Sequence, residues 1–104
     1  MQRRSAIKTK EGELVRQQFR SHKGVVSHVK WNPENEVQFA SASLDNTVRV
    51  WDTRSPLPLF TLRSHADKVL CVEWDVLGGK ERLLSGSADR ELHLHLFKGP
   101  QSNA

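Results

Sequence analysis

The chain contains two copies of one pattern, offset by 43 to 44 residues. SHKGVVSHVKW (21–31) aligns with SHADKVLCVEW (64–74), and ASASLDNTVRVW (40–51) aligns with LSGSADRELHLH (84–95). The one-residue difference in offset falls between the two blocks, where the second copy carries DVLGGKER, and a turn is where a repeat tolerates an insertion. A repeat of this length predicts two copies of one supersecondary unit, each of which buries its apolar face against a neighbour.

Each copy consists of short alternating runs separated by turn signals such as Asn32-Pro33. The predicted strands are 26–31, 37–43, 47–51 and 57–62 in the first copy and 68–74, 82–87 and 91–97 in the second. Pro58 is compatible with a strand only at a sheet edge. No stretch shows sustained helical periodicity, so the sequence predicts an all-β chain.

The charge of the chain is concentrated at its N-terminal end. Residues 1–23 hold seven Lys or Arg and two Glu, so this segment carries a charge of +5, more than the net charge of +4 of the whole chain. A basic segment favours phosphate-rich partners such as RNA, but this one lacks the interleaved aromatic residues that stack on bases. We expect residues 1–12 to be a basic, flexible segment and residues 98–104 to be a flexible tail.

Cys71 is the only cysteine, so no internal disulfide can form, which suits a reducing compartment. Its apolar neighbours predict a small buried side chain rather than a nucleophile. No apolar run approaches the length of a membrane span, and no signal peptide is recognisable. The sequence therefore predicts a soluble intracellular protein without a membrane partner.

The period, the four strands per unit, a His near the start and Trp51-Asp52 at the end of the third strand together resemble a blade of a WD-repeat β-propeller. The resemblance covers residues 13–97. It implies an outer strand at 13–19, a first blade at 21–62 and a terminal blade at 64–97, which together form a partial propeller.

In WD repeats four side chains of a blade form a hydrogen-bonded relay: the His before the first strand, a Ser on the second, the Asp of the next turn and the Trp of the third strand. The resemblance assigns the relay to His22, Ser41, Asp45 and Trp51 in the first unit and to His65, Ser85, Asp89 and His95 in the second. Position 95 departs from the pattern because it holds His where the family has Trp. A buried indole N–H can only donate, so the relay supplies the acceptor that it needs.

A His, an Asp and a Ser are also the side chains of a hydrolase, and two His residues could bind a metal. The set recurs at the same spacing in both units, as a structural device would, and no Gly-x-Ser-x-Gly elbow surrounds either serine. His93 and His95 share one face of a strand, but no third ligand lies nearby in sequence. We therefore predict no catalytic residue, no metal site and no cofactor.

The repeats are similar in detail to the ribosome-biogenesis WD-repeat family of the pescadillo complex, on SHKGVVSHVKWNP, SASLDNTVRVWDTRSPLPLFTL, HADKVLCVEWD and LLSGSADRELHLHLF. This resemblance implies a non-catalytic scaffold of large-ribosomal-subunit assembly in the nucleolus, with pescadillo and the block-of-proliferation protein as partners. Propellers generally bind partners through loops at one end. Here the candidate contacts are Lys23, Leu44, Asn46, Lys68 and Arg90. The alternatives are a subunit of a chromatin, ubiquitin-ligase or trafficking complex, direct RNA binding, and a truncated fragment without function.

Two blades do not close a propeller, since closed propellers hold about 4–8 blades. The predicted fold therefore leaves apolar faces and strand edges open. We expect the chain either to be the C-terminal part of a longer product or to self-associate into a ring.

Overall fold

The computed structural model describes residues 7–8, 14–15 and 17–97. The described residues contain strands and turns but no helix, which confirms the predicted all-β class. This part of the chain accordingly offers no helix that could span a bilayer. The strands are β1 Ile7–Lys8, β2 Leu14–Val15, β3 Val26–Trp31, β4 Gln38–Ser43, β5 Val48–Asp52, β6 Phe60–Leu62, β7 Val69–Leu77, β8 Lys80–Ser87 and β9 Leu92–Phe97.

Two antiparallel sheets, one from each copy of the repeat, form the body of the molecule. The first sheet has the strand order β3-β4-β5-β6, and the second has the order β7-β8-β9. Strand β6 is shorter than the predicted 57–62, because pairing with β5 begins at Phe60. Pro58 just before it has no N–H to give to a ladder. Each sheet is an antiparallel meander, as expected for the predicted blades, and the described residues add no fourth strand to the second sheet.

Strands β1 and β2 pair with each other in a separate two-stranded ladder. This ladder includes Ile7–Lys8, which lie in the segment predicted to be flexible. The remainder of residues 1–12 and the whole predicted tail 98–104 lie outside the described residues.

The predicted outer strand 13–19 differs from what the structure contains. Among its described residues, Leu14–Val15 form β2 and residues 17–19 lie in no strand. The Phe19 ring instead packs edge-on against Phe39 and Trp51, with centroids 5.1 and 5.2 Å away. This aromatic contact places Phe19 on the face of the first sheet, and none of the described strands pairs with residues 17–19.

The junction between β7 and β8 is a tight hairpin rather than the looser turn expected from DVLGGKER. Gly78 and Gly79 are its two central residues, with φ of 60° and 79°. A two-residue turn with positive φ at both positions matches the twist of the strands and favours Gly-Gly. Both strands are consequently longer than the predicted 68–74 and 82–87, and they pair as far as Leu77 with Lys80.

The apolar core lies between the two sheets. Two alanines and two valines of β4 and β5 pack against two valines, a tryptophan and a leucine of β7 and β8. They are Ala40, Ala42, Val48 and Val50 on one side and Val69, Val72, Trp74 and Leu83 on the other. Because side chains alternate along a strand, each sheet contributes only one face to this core. Ala40 and Ala42 of β4 belong to the same buried cluster as Trp74.

Hydrogen bonds across the core join β3 directly to β7. They are Ser27 Oγ to the Val69 carbonyl at 2.6 Å, the Val72 N–H to His28 Nδ1 at 2.9 Å, and the Trp74 indole N–H to the Lys30 carbonyl at 2.9 Å. These contacts align the two sheets in one register, so corresponding loops of the two units lie at the same end.

Cys71 is exposed, so the prediction that it is buried was wrong. The pairing of β7 with β8 shifts register between Val69 and Cys71. A bulge of this kind lets neighbouring residues point the same way. Leu70 and Cys71 are therefore both exposed, while Val69 and Val72 fill the core.

Replacing Leu83 by Ala is expected to lower the free energy of unfolding by about 2–5 kcal/mol, because the side chain is fully buried between the sheets. Leu57→Ala is the matched control, because it removes the same atoms from a loop side chain that is 69% exposed. Urea denaturation followed by tryptophan fluorescence measures both. Equal losses for the two variants would contradict this location of the core.

Candidate functional site

The four residues assigned to the first relay form one chain of hydrogen bonds. The Trp51 indole N–H donates to Ser41 Oγ at 2.9 Å, and Ser41 Oγ lies 2.6 Å from His22 Nε2. His22 Nδ1 in turn lies 2.9 Å from Asp45 Oδ2. The chain runs from the interior of β5, across β4, to the turn between those strands.

Asp45 organises the loops at the end of the first sheet. Its carboxylate accepts the backbone N–H of Lys23 at 2.8 Å and that of Thr47 at 2.9 Å. The segment before β3 is thereby tied to the β4–β5 turn. Asn46 closes this turn with φ of 74°, a conformation that Asn tolerates better than most residues.

The hydrogen bonds determine where the protons of the relay lie. An ionised carboxylate only accepts, so His22 donates from Nδ1, and its Nε2 accepts the Ser41 hydroxyl. Burial lowers the pKa of His22 and outweighs the opposing hydrogen bond and charge of Asp45. Burial alone would raise the pKa of Asp45, but donors from Thr47, Lys23 and His22 hold it well below its usual range.

The second unit repeats the relay with an imidazole in place of the indole. His65 Nδ1 lies 2.9 Å from Asp89 Oδ2, and His65 Nε2 lies 2.8 Å from Ser85 Oγ. His95 Nε2 lies 2.9 Å from the same Ser85 oxygen, the distance at which Trp51 contacts Ser41. The imidazole N–H of His95 therefore takes the role of donor.

Burial lowers the pKa of His95, and the charges of His93 and His65 lower it further. The pKa of Asp89 is also lowered well below its usual range. Burial opposes this shift, but the Ala66 N–H, His65 and the Glu91 N–H all donate to the carboxylate.

A further layer of contacts, which the sequence reasoning missed, lies beside each relay. In the first unit Arg49 donates to Ser21 and to Thr47 Oγ1. In the second unit the equivalent His93 contacts Ser64 Oγ at 2.6 Å and Glu91 Oε1 at 2.8 Å. The same offsets of 43 and 44 residues relate all three pairs of positions, so the repeat alignment held the signal.

The two relay serines are not placed for nucleophilic chemistry. Ser41 and Ser85 are 3% and 1% exposed. Each hydroxyl oxygen is occupied on one side by the donor at position 51 or 95 and on the other by the relay histidine. A catalytic serine needs access to a substrate carbonyl, and neither oxygen has it.

One set of side chains has the composition of a metal site. Ligand atoms of His65, Asp89 and His93 all lie within 4.8 Å of one another among the described residues. However, the rings of His65 and His93 are stacked, with centroids 3.8 Å apart and planes 10° apart. Imidazole lone pairs lie in the ring plane, so those of parallel rings do not converge on one ion. His65 also uses both nitrogens in the relay.

The five residues proposed for partner binding lie in the loops at one end of the two sheets. We call this end the loop rim, residues 22–25, 44–46, 65–68 and 88–90. Lys23, Lys68 and Arg90 are exposed there, while Leu44 and Asn46 are partly buried. The Asp45 and Asp89 carboxylates point into the relays. Asp67 also lies on the rim, where its carboxylate is 3.4 Å from Lys68 Nζ, so Lys23 and Arg90 are the prominent rim cations.

Stability is expected to fall as the pH is lowered from about 7.5 to about 5.5. His22 and His95 have folded-state pKa values below the 6.5 of the unfolded chain. The unfolded state therefore binds more protons, and the stability present above pH 6.5 is lost below it. The lowered pKa values of Asp45 and Asp89 predict a second loss below about pH 4. Thermal melts by circular dichroism measure both, and a melting temperature constant from neutral to mildly acid pH would contradict the first.

The variant His95→Trp is expected to stabilise the protein by about 1–2 kcal/mol through added apolar burial. A cleft of about 430 Å³, lined by Phe60, Leu62, His95, Leu96 and Phe97, adjoins the position and offers room for the indole. His95→Phe is the control: it fills the cleft but gives Ser85 no donor, so its gain should be smaller. Both variants should also show a weaker pH dependence near neutrality. Destabilisation by Trp would contradict the equivalence of positions 51 and 95.

Comparison with known proteins agrees with this geometry. Residues 12–52 and 57–95 match the family described as WD domain, G-beta repeat. The chain is 47% identical over 89 residues to the ribosome biogenesis protein WDR12 homolog of Nematostella vectensis, covering 85% of this chain and 21% of that protein. It is 43% identical over 92 residues to the protein of the same name from Ixodes scapularis, covering 88% and 21%.

A relative with another role is similar to almost the same degree. Coatomer subunit beta'-1 of Arabidopsis thaliana is 43% identical over 79 residues, covering 76% of this chain and 9% of that protein. The chain spans about a fifth of the length of the ribosome biogenesis relatives. The predicted resemblance is confirmed by the family match, which extends over most of both units: the chain belongs to the WD-repeat family.

Proposed function

We propose that the chain is part of a non-catalytic WD-repeat scaffold that acts in assembly of the large ribosomal subunit, in the nucleolus. The observation that carries this proposal is the similarity to ribosome biogenesis proteins over 85% and 88% of the chain. The matched stretches of 89 and 92 residues are long enough to include residues of both units.

A scaffold role is supported by how the polar groups of the two units are used. The relay serines and histidines satisfy one another inside the protein, so they stabilise loops rather than act on a substrate. The described residues also contain no buried side-chain polar atom without a partner. Chemistry at such a site would require breaking this network.

The loop rim is the surface that we propose contacts a partner. Its exposed side chains include the cations Lys23 and Arg90, while Asp45 and Asp89 are engaged in the relays and Lys68 is paired with Asp67. Such a surface complements an acidic protein segment, and interfaces often use arginine as an anchor. We propose pescadillo and the block-of-proliferation protein as the partners that bind there.

The proposal is tested by affinity capture of the tagged chain from nucleolar extract, with mass spectrometry of what is retained. The wild type is expected to retain pescadillo and the block-of-proliferation protein. The double variant K23E/R90E should retain several-fold less, because it reverses two rim charges. Lys80→Glu is the matched control, since Lys80 is exposed on the hairpin at the opposite end of the second sheet.

The similarity to a coatomer subunit makes a vesicle-coat complex the second candidate. The same capture experiment separates the two functions by which proteins are retained. Recovery of coat subunits without ribosome assembly factors would overturn the nucleolar assignment. Equal losses for the rim variant and the Lys80 control would overturn the rim as the contact surface.

A further inference from the structure

The stack of two sheets has two outer faces that the described residues cover only in part: Phe19 packs on Phe39 and Trp51 of the first sheet, but other apolar side chains stay exposed. The outer face of the first sheet carries Val29 and Trp31, which are 50% and 59% exposed. We call it the Val29 face. The outer face of the second sheet carries Leu84, Leu92 and Leu94, which are 40%, 73% and 52% exposed. We call it the Leu94 face.

The Val29 face is the same type of surface as one that is buried inside the molecule. At an offset of 43 residues, Val29 and Trp31 correspond to Val72 and Trp74. Those two residues are 1% and 6% exposed, because the second sheet presents them to the first. The pairing registers agree, since Trp31 lies opposite Phe39 and Trp74 lies opposite the equivalent Leu83.

The Leu94 face corresponds to the other half of the buried interface. At an offset of 44 residues, Leu92 and Leu94 correspond to Val48 and Val50, and Leu84 corresponds to Ala40. Val48, Val50 and Ala40 are at most 2% exposed, because the first sheet presents them to the second. The chain therefore carries both halves of its own internal interface a second time, on opposite outer faces.

We propose that the Leu94 face of one chain binds the Val29 face of a second copy, repeating the internal contact between the sheets. The occupant is a second copy because every copy supplies the matching surface. This inference does not depend on which assembly the protein serves.

Charges at the edge of the interface support the head-to-tail arrangement. Inside the molecule Lys30 Nζ lies 3.5 Å from Glu73 Oε1, across the contact of β3 with β7. Positions 30 and 73 are equivalent, so Glu73 of one copy meets Lys30 of the next, and opposite charges alternate along the stack. Like charges at the two positions would have opposed stacking. The Trp31 indole is likewise placed to donate to the Glu73 carbonyl of the next copy, as Trp74 donates to that of Lys30.

A contact between two different faces of one chain is heterologous, and it closes into a ring when the rotation between copies allows. Closed propellers hold about 4–8 blades, so a ring would contain about two to four copies of this two-blade chain.

A disulfide trap tests the contact without disturbing folding. Cys71 is the only cysteine in the sequence. Its Sγ lies on the Leu94 face beside Gly86 and Leu92, since a Cβ added at Gly86 would be 3.0 Å from that Sγ and 3.3 Å from Leu92 Cδ2. Within one chain, His28 corresponds to Cys71 and Val72 corresponds to Val29, and the Val72 N–H donates to His28 Nδ1. In the variant Val29→Cys, the new thiol should therefore face Cys71 of the next copy, and oxidation should yield a reducible ladder of dimers and larger species.

The matched control for the trap is Leu57→Cys, because Leu57 is 69% exposed and lies outside both faces. The two cysteines of one V29C chain lie on opposite outer faces, so a ladder reports contact between chains. Absence of a ladder, or one equally strong in the control, would overturn the proposal.

Light scattering after size-exclusion chromatography tests the stoichiometry. The wild type should have about two to four times the chain mass of 11.9 kDa. Val29→Glu and Leu94→Glu each block one face, so each alone should be monomeric, with β-sheet circular dichroism retained. Mixed together they should form a 1:1 dimer through their two intact faces. A monomeric wild type, oligomers that survive both substitutions, or failure of the folded variants to pair would overturn the head-to-tail contact.

Discussion

The stacking of the second sheet on the first is the contact on which the rest of the molecule depends. A single sheet of three or four strands has no interior of its own, because its apolar face must be buried against another layer. Burying Val72, Trp74 and Leu83 against the small side chains of β4 and β5 gives both sheets a common interior. The hydrogen bonds between β3 and β7 then hold one register, and that register places corresponding loops of the two units together on the loop rim.

The relays connect that apolar interior to the rim. In each unit a serine on the second strand accepts a hydrogen bond from a side chain of the third strand. The same serine contacts a histidine, which in turn contacts an aspartate in the turn. The aspartate carboxylate accepts a hydrogen bond from a backbone N–H of the loop before the first strand. Because these two aspartates are engaged, Lys23 and Arg90 are the exposed charged side chains of the loops beside them. The substitution of His95 for the relay tryptophan keeps the donor but adds a titratable group to the network.

Much of the fold and of the relays could be predicted because both follow from local pattern and repeat spacing. Short stretches of sequence contain the alternation of β3, the turn at Asp45 and the eight relay positions. Because the relay positions recur at a nearly fixed offset, they are interpreted as a structural feature rather than a catalytic set. The bounds of β6 and of the β7–β8 hairpin were less accurate, although Pro58 and Gly78-Gly79 are local signals. The exposure of Cys71 could not be predicted, because alternation alone does not reveal a bulge at Val69.

By itself the sequence determined the repeat, the all-β class, the family and the chemistry available in each unit, since these depend on residue type and spacing. Only the tertiary structure decided which face of each sheet is covered, because that depends on how the two sheets stack. Val29 and Val72 occupy equivalent positions, as do Leu94 and Val50, yet Val29 and Leu94 are exposed while Val72 and Val50 are buried. The tertiary structure also drew Phe19 onto the aromatic surface of the first sheet and set His93 parallel to His65. Such contacts join residues far apart in the chain, and their energies depend on a geometry that no single segment contains.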